Sequence, residues 1–237
     1  MQIEILIAVI VLSYLIGSIS FSRLVSRIAA PEVDVENVEI PGQSGEDVQK
    51  FSAVGATVTS LKLGGPLGCL VSLLDAFKIF MPTLVLRLWM PEQPYYLFSA
   101  FFGLLGNNWP VFYHFRGGWG ISAIYGGYLA IAPLGAVVTA LIGMLIGLFI
   151  LRDLMSIYLL GLWLIIPWIW YFFRDSALLP YLLAYAFGAN IVLMIAFIPE
   201  LRAYLKMRRE GKSMGDLMDL APMGRGMKKM LKALKMD

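Results

Sequence analysis

The sequence predicts an all-α polytopic integral membrane protein, a helical bundle of about seven transmembrane helices. The N-terminus is expected outside and the C-terminus in the cytoplasm. Apolar residues make up 59% of the 237 residues and charged residues only 15%, a balance unlike that of soluble domains. Long uncharged runs and an asymmetric distribution of basic residues support the same class. The folded protein is therefore expected to be surrounded mainly by lipid.

The uncharged runs set the expected spans, because one crossing needs about 20 mostly apolar residues. The stretch 117–151 is too long for one crossing, and Pro133 and Gly135 are expected to divide it into two short helices. The predicted spans are 3–22, 63–86, 93–115, 117–132, 134–151, 154–173 and 176–199.

Basic residues set the orientation, since cytoplasmic loops are enriched in lysine and arginine. Ten of the nineteen follow Leu201, so this end is expected in the cytoplasm. With seven spans, only Arg87 and Arg174 fall outside, and Lys78 lies within a helix. We therefore expect a single transmembrane domain over 1–210 and a basic cytoplasmic tail over 211–237.

Two segments are expected outside the membrane. The first half of the loop 31–62 is acidic, and 31–47 is interpreted as a solvated loop, with a lid or partner surface as the alternative. In the tail, one helical face is apolar and the other is basic, which favours a helix on the anionic inner leaflet over a frayed tail. The apolar face consists of Met227, Met230, Leu231 and Leu234.

Three local patterns map to the predicted cytoplasmic side. The sequence GSISF at 17–21 places small and hydroxyl residues at the inner end of the first span, where close helix packing also explains them. The sequence VGATVTSLK at 54–62 leads into the second span with a glycine and several hydroxyls. A helix start of this kind presents free N–H groups to an anion, and helix capping explains the same residues.

The third pattern is GNNWPVFYHFRGGWG at 106–120. Its glycines at 117, 118 and 120, beside Arg116, allow a concave row of backbone N–H groups that suits a phosphate or lipid headgroup. A tight helical hairpin requires glycine as well, so the sequence leaves binding and turn geometry open.

A fourth pattern, LLDAFKIFMP at 73–82, puts Asp75 and Lys78 on one face of the second span. Ionisable residues inside a membrane are costly and usually paired, and we interpret these two as a structural ion pair. His114 is the only histidine and has no nearby metal-binding partner, and Cys69 is the only cysteine. No metal site is expected.

These four patterns, in this order, resemble the bacterial family that transfers an acyl chain from acyl-phosphate to glycerol-3-phosphate. The matching positions cover nearly the whole chain to about residue 210. They are Gly17, Ser18, Ile19 and Phe21; Gly55, Ala56 and Thr57; Leu74, Asp75, Lys78 and Pro82; and Gly106, Pro110, Phe112, Phe115, Gly117, Gly118 and Gly120.

The resemblance implies a multi-pass protein of the inner, or plasma, membrane in phospholipid synthesis. Its implied substrates are acyl-phosphate and glycerol-3-phosphate, without a cofactor or nucleic acid. Membrane lipids are its expected surroundings, and no protein partner is implied. The catalytic candidates are Asn107, Arg116 and Lys62, and the phosphate-binding candidates are Ser18, Gly55, Thr57, Gly117, Gly118 and Gly120.

The sequence also departs from the family at its polar positions. Asn107 and Phe197 stand where the family has histidine, Trp119 stands where it has lysine, and Val58 and Glu200 stand where it has asparagine. Two hypotheses therefore remain: an acyltransferase that works through substitute groups, or a catalytically silent relative that binds a lipid or a membrane partner protein.

Overall fold

The computed structural model describes residues 1–36, 38–41, 48–51, 53–151 and 153–209. The predicted tail over 211–237 and part of the acidic loop lie outside the described residues. The described elements are α1 (Ile3–Gly17), α2 (Phe21–Ala29), β1 (Val38–Pro41), β2 (Val48–Phe51), α3 (Ala56–Leu63), α4 (Gly65–Trp89), α5 (Tyr95–Asn108), α6 (Ile121–Ile131), α7 (Pro133–Leu145), α8 (Leu154–Phe172) and α9 (Leu179–Arg209).

The fold is helical, as the sequence predicts. Four helical segments in the described chain are long and apolar enough to cross a membrane, namely Ile3–Ala29, Gly65–Trp89, Pro133–Leu151 and Leu179–Pro199. Shorter apolar helices cover Ile121–Ile131 and Leu159–Phe172. The count of seven crossings and the orientation stay predictions.

The first predicted helix, 3–22, is divided between α1 and α2. The hydroxyl of Ser18 donates to the carbonyl of Tyr14 at 2.8 Å, and the carbonyl of Ile19 accepts a hydrogen bond from Lys78 Nζ at 2.7 Å. Lys78 therefore satisfies a carbonyl at the interruption, where the regular helical pattern of hydrogen bonds ends. A partner 59 positions along the chain cannot be inferred from local hydrophobicity.

The polar face of α2 points into the protein. Ser22, Arg23 and Ser26 are buried, whereas Leu24 and Ile28 are 46% and 77% exposed. A helix on the surface of a soluble protein has the opposite arrangement. An outward apolar face fits a helix lying against lipid, as in a membrane interface.

Two further helices differ in extent from the predicted spans. Helix α5 ends at Asn108, well before residue 115, and a 3-10 turn follows at Val111–Tyr113. Pro110 explains the end, because proline has no N–H and disfavours helical geometry at the residue before it. Helix α9 begins at Leu179 and continues to Arg209, beyond the predicted end at 199.

The stretch 117–151 forms two helices, α6 and α7, which meet at Ala132 directly before Pro133. A π-helical turn, Ile146–Leu151, extends α7.

The acidic loop also contains an element that the sequence analysis does not predict. Strands β1 and β2 pair antiparallel, with Val38 opposite Phe51 and Glu39 opposite Lys50. The strands are only four residues each, Val38–Pro41 and Val48–Phe51, the length of a short hairpin.

Helices α1 and α5 pack closely at glycines, which have no side chain to separate the backbones. A Cβ on Gly17 of α1 would overlap the carbonyl of Gly103 on α5, and one on Gly106 would overlap the carbonyl of Tyr14. Small residues of this kind allow the backbones of membrane helices to approach closely. Helix α1 is thereby held against α5, the helix whose C-terminal end leads into the candidate site.

We expect Gly17→Ala to reduce the free energy of unfolding by more than about 1 kcal/mol, because the added methyl group has no room. The measurement is equilibrium unfolding in mixed micelles. Gly65→Ala is the matched control, since nothing lies within 4 Å of a Cβ there. Equal stability of the two variants would contradict close packing of α1 on α5.

Candidate functional site

A cavity of about 460 Å³ lies beside α3 and the first half of α4. The end of α5 and the segment that leads into α6 complete its wall. The lining residues are Ala53, Gly55, Ala56, Thr57, Val58, Ser60, Gly65, Gly68, Cys69, Ser72, Asp75, Asn107, Gly118, Trp119, Gly120, Ile121 and Ser122.

Backbone hydrogen bonds bring two of the predicted motifs together at this cavity. The N–H of Val54 donates to the carbonyl of Gly117 at 2.9 Å, and the N–H of Gly118 donates to the carbonyl of Asn107 at 3.1 Å. A Cβ on Gly55 would lie 3.6 Å from the Cα of Gly118. The segment before α3 therefore packs on the turn before α6, and the N–H of Gly118 is already occupied.

Turn geometry accounts for two of the three glycines in this segment. A Cβ on Gly117 would overlap the carbonyls of Asn107 and Asn108, and Gly120 has a φ of +85°. Both positions therefore favour glycine for conformational or steric reasons. Gly118 differs, because a Cβ there would have only ordinary contacts, the nearest at 3.4 Å from the carbonyl of Val54. It lies in the cavity wall.

The structure brings five of the nine candidate residues to the cavity wall: Gly55, Thr57, Asn107, Gly118 and Gly120. The other four, Ser18, Lys62, Arg116 and Gly117, are not part of that wall. The side chains of Lys62 and Arg116 are exposed. Ser18 is fully buried, and its hydroxyl accepts a hydrogen bond from the N–H of Val111 at 3.4 Å, so it holds the turn after α5.

The described part of the cavity wall has no cationic side chain. Among its described lining residues there is no lysine, arginine or histidine, and Asp75 is the only carboxylate. Asp75 Oδ1 accepts a hydrogen bond from Lys78 Nζ at 2.7 Å, and both residues are buried, at 8% and 7% exposure. The predicted intramembrane ion pair is thus formed, and its two charges offset each other beside the cavity.

Arg23 connects α2 to the turn after α5, a role that the sequence analysis does not predict. It is 3% exposed, and its Nη2 donates to the carbonyl of Arg116 at 2.9 Å. Its Nε donates to Glu36 Oε1 at 2.7 Å, and its Cζ lies 4.3 Å from the ring centroid of Tyr113. The sequence feature that could have indicated this role is that Ser22, Arg23 and Ser26 share one face of α2, away from its apolar residues.

Aromatic side chains meet at two of the substituted polar positions. Trp119 lines the cavity, and its ring packs edge to face on Phe197 of α9, with centroids 5.2 Å apart and planes at 79°. The resemblance assigns lysine and histidine to these positions. Part of the cavity wall is consequently an apolar contact rather than a pair of charged or protonable groups.

The bundle and its cavity define a helical integral membrane protein whose candidate site lies where the ends of several helices meet. The chain belongs to the glycerol-3-phosphate acyltransferase family, whose profile matches residues 7–206. This confirms the resemblance predicted from the sequence, and with it a membrane location and a place among proteins of phospholipid synthesis.

Curated relatives carry the name glycerol-3-phosphate acyltransferase. The Aquifex aeolicus protein is 30% identical over 149 residues, which cover 62% of this chain and 70% of the relative. The Pseudothermotoga lettingae protein is 32% identical over 52% of this chain and 55% of its own length. The Cronobacter sakazakii protein is 36% identical over 63% of this chain and 64% of its own length. The match thus spans less than two thirds of the latter two relatives.

Solved structures support the fold. Crystal structures of PlsY, an integral membrane glycerol 3-phosphate acyltransferase, are similar to this chain in two forms. The glycerol 3-phosphate form has a TM-score of 0.69 at 24% identity and covers 86% of this chain and 93% of its own. The lysophosphatidic acid form has a TM-score of 0.67 at 23% identity, with the same coverage.

Proposed function

We propose that this chain is a catalytically silent member of its family, which binds a lipid in the cavity and does not transfer an acyl chain. The single observation that carries the proposal is the absence of lysine, arginine and histidine from the described cavity wall. We place the protein in the inner membrane with the cavity on the cytoplasmic side, in line with the distribution of basic residues.

Acyl transfer from acyl-phosphate to glycerol-3-phosphate requires a site that holds two phosphates and stabilises charge on the reacting carbonyl. Cations and free hydrogen-bond donors supply that stabilisation. A charge-assisted hydrogen bond contributes about 1.5–3 kcal/mol, and each loss of about 1.4 kcal/mol slows a reaction about tenfold. Several such losses together leave little catalysis.

The groups that remain do not replace the missing cations. The exposed side chains of Arg116 and Lys62 are not in the cavity wall, whereas Asn107 lines it but is uncharged. The N–H of Gly118 donates to the carbonyl of Asn107, so it is not free for a phosphate oxygen. The second hypothesis, an acyltransferase that works through these substitute groups, is the competing outcome of the test.

The test is an acyl-transfer assay with the purified full chain in proteoliposomes. Palmitoyl phosphate and radiolabelled glycerol-3-phosphate are supplied, and lysophosphatidate is measured. We expect no product above a protein-free control, because the described cavity wall offers no cation to hold either phosphate. The Aquifex aeolicus relative, reconstituted in the same way, controls for the substrates and the lipid.

Product above that control would overturn the proposal. Arg116→Ala would then identify the responsible group, since loss of product in this variant would assign activity to the substitute arginine. Unchanged product in this variant would remove Arg116 from the site and leave Lys62 and Asn107 as candidates.

A further inference from the structure

We infer that the cavity selects a neutral glycerolipid, a monoacylglycerol or diacylglycerol whose head carries a free hydroxyl and no phosphate. This inference rests on the proposed function and names the ligand class of the same site. It follows from three features of the structure. They are the hydroxyl and amide groups of the cavity wall, the aromatic corner formed by Trp119 and Phe197, and the exposed apolar stripe formed by Cys69, Leu73 and Phe77 on α4.

Uncharged hydrogen-bonding groups dominate the polar part of the wall. Ser72 Oγ and Ser122 Oγ lie 2.7 Å apart in a hydrogen bond between α4 and α6. Thr57 and Ser60 add two hydroxyls from α3. A hydroxyl both donates and accepts, and it therefore complements the hydroxyls of a glycerol head without supplying charge.

A buried amide donor next to the cavity lacks a partner. Asn108 is 3% exposed, and its Nδ2 has no hydrogen-bond partner among the described residues. A Cβ on Gly120 would lie 2.9 Å from this nitrogen, so the amide lies directly behind a residue of the cavity wall. An unsatisfied buried donor is costly, but Asn108 is not itself a lining residue, so the amide available in the wall is that of its neighbour Asn107.

The aromatic corner disfavours a phosphate. Trp119 lines the cavity and packs against Phe197, which is 3% exposed. Placing a phosphate beside these rings removes water from a charged group without giving it a cation. The Asp75–Lys78 pair does not change this, because Lys78 Nζ already donates to Asp75 and to the carbonyl of Ile19.

An exposed apolar stripe leads away from the cavity along α4. Cys69 lines the cavity and is itself exposed. Leu73 and Phe77 follow at four-residue intervals, at 64% and 56% exposure. Residues four apart lie on the same helix face, and the stripe is about 12 Å long at about 1.5 Å per residue. The acyl chain of a lipid whose head occupies the cavity is expected to lie on it.

The test uses the full chain in phosphatidylcholine nanodiscs with a monoacylglycerol that carries a diazirine in its acyl chain. Photolabelling is competed with unlabelled monoacylglycerol or with lysophosphatidate of the same chain length. We expect monoacylglycerol to halve the labelling at a mole fraction at least tenfold lower than lysophosphatidate does. The label is expected in the peptide that contains Leu73 and Phe77.

Ser72→Leu fills the cavity and is expected to reduce labelling at least fivefold. Ala177→Leu adds the same apolar side chain at an exposed position outside the cavity and should label like the unaltered protein. Trp119→Lys adds a cation to the wall and is expected to reverse the preference toward lysophosphatidate. Gel filtration of each variant confirms that it is folded.

The inference is overturned if the unaltered protein is not labelled, if lysophosphatidate competes as well as monoacylglycerol or better, or if Ser72→Leu labels like Ala177→Leu. These results are separate from the acyl-transfer assay. A preference for lysophosphatidate without product formation refutes only the ligand class, whereas product formation refutes the proposed function.

Discussion

Lys78→Met is expected to reduce the free energy of unfolding by about 3–5 kcal/mol, the cost of removing one partner of a buried ion pair. The substitution leaves the Asp75 carboxylate, at 8% exposure, without its cation. It also leaves the carbonyl of Ile19, at the interruption between α1 and α2, without its donor. Equilibrium unfolding in mixed micelles, followed by circular dichroism, measures the loss.

The double variant Asp75→Leu/Lys78→Met is the control for this prediction. Replacing a whole buried pair by apolar residues is often neutral, because both desolvation costs disappear together. We expect the double variant to recover at least about 2 kcal/mol relative to Lys78→Met alone. A double variant as unstable as Lys78→Met would show that the pair itself does not explain the loss, which would then lie with the capped carbonyl.

Arg23→Met is expected to reduce the free energy of unfolding by about 2–3 kcal/mol. The substitution removes the charge-assisted hydrogen bond to the carbonyl of Arg116 and the cation–π contact with Tyr113, and it leaves that carbonyl without its donor. The consequence is local, because Arg23 joins α2 to the turn after α5. Amide hydrogen exchange of residues 111–118 is expected to speed up more than exchange in α8.

Glu36→Gln is the matched control for Arg23. The side chain of Glu36 is 50% exposed, and exposed ion pairs contribute about 0–1 kcal/mol. We therefore expect this variant to lose less than about 1 kcal/mol and to leave exchange in residues 111–118 nearly unchanged. A loss as large as that of Arg23→Met would mean that the ion pair, and not the contact with the turn, carries the stabilisation.

Features determined by local sequence were predictable. The length of each apolar run indicates most of the helices, and Pro133 sets the point where α6 and α7 meet. The spacing of Asp75 and Lys78 indicates their ion pair. The small β-hairpin was missed because its two strands are only four residues long and lie in an acidic loop, and the Pro41-Gly42 turn signal between them was interpreted as part of a solvated loop.

Features that depend on long-range contacts were not predictable. The interruption after Gly17 involves Lys78, and the role of Arg23 depends on a carbonyl 93 positions away. Two of the predicted motifs, those around Gly55 and Gly118, do meet at the cavity. Arg116 and Lys62 were also predicted, because they lie beside these motifs in the sequence. Their exposed side chains lie outside the cavity wall, since a position beside a motif does not fix the direction of a side chain.

Equilibrium binding of radiolabelled glycerol-3-phosphate to the purified full chain tests the central claim most directly, because it measures phosphate recognition without requiring turnover. We expect no saturable binding at millimolar concentrations, and we expect Trp119→Lys to introduce saturable binding. The Aquifex aeolicus relative serves as the reference in the same experiment. Saturable binding to the unaltered chain that inorganic phosphate displaces would contradict the claim that the cavity has lost its phosphate site.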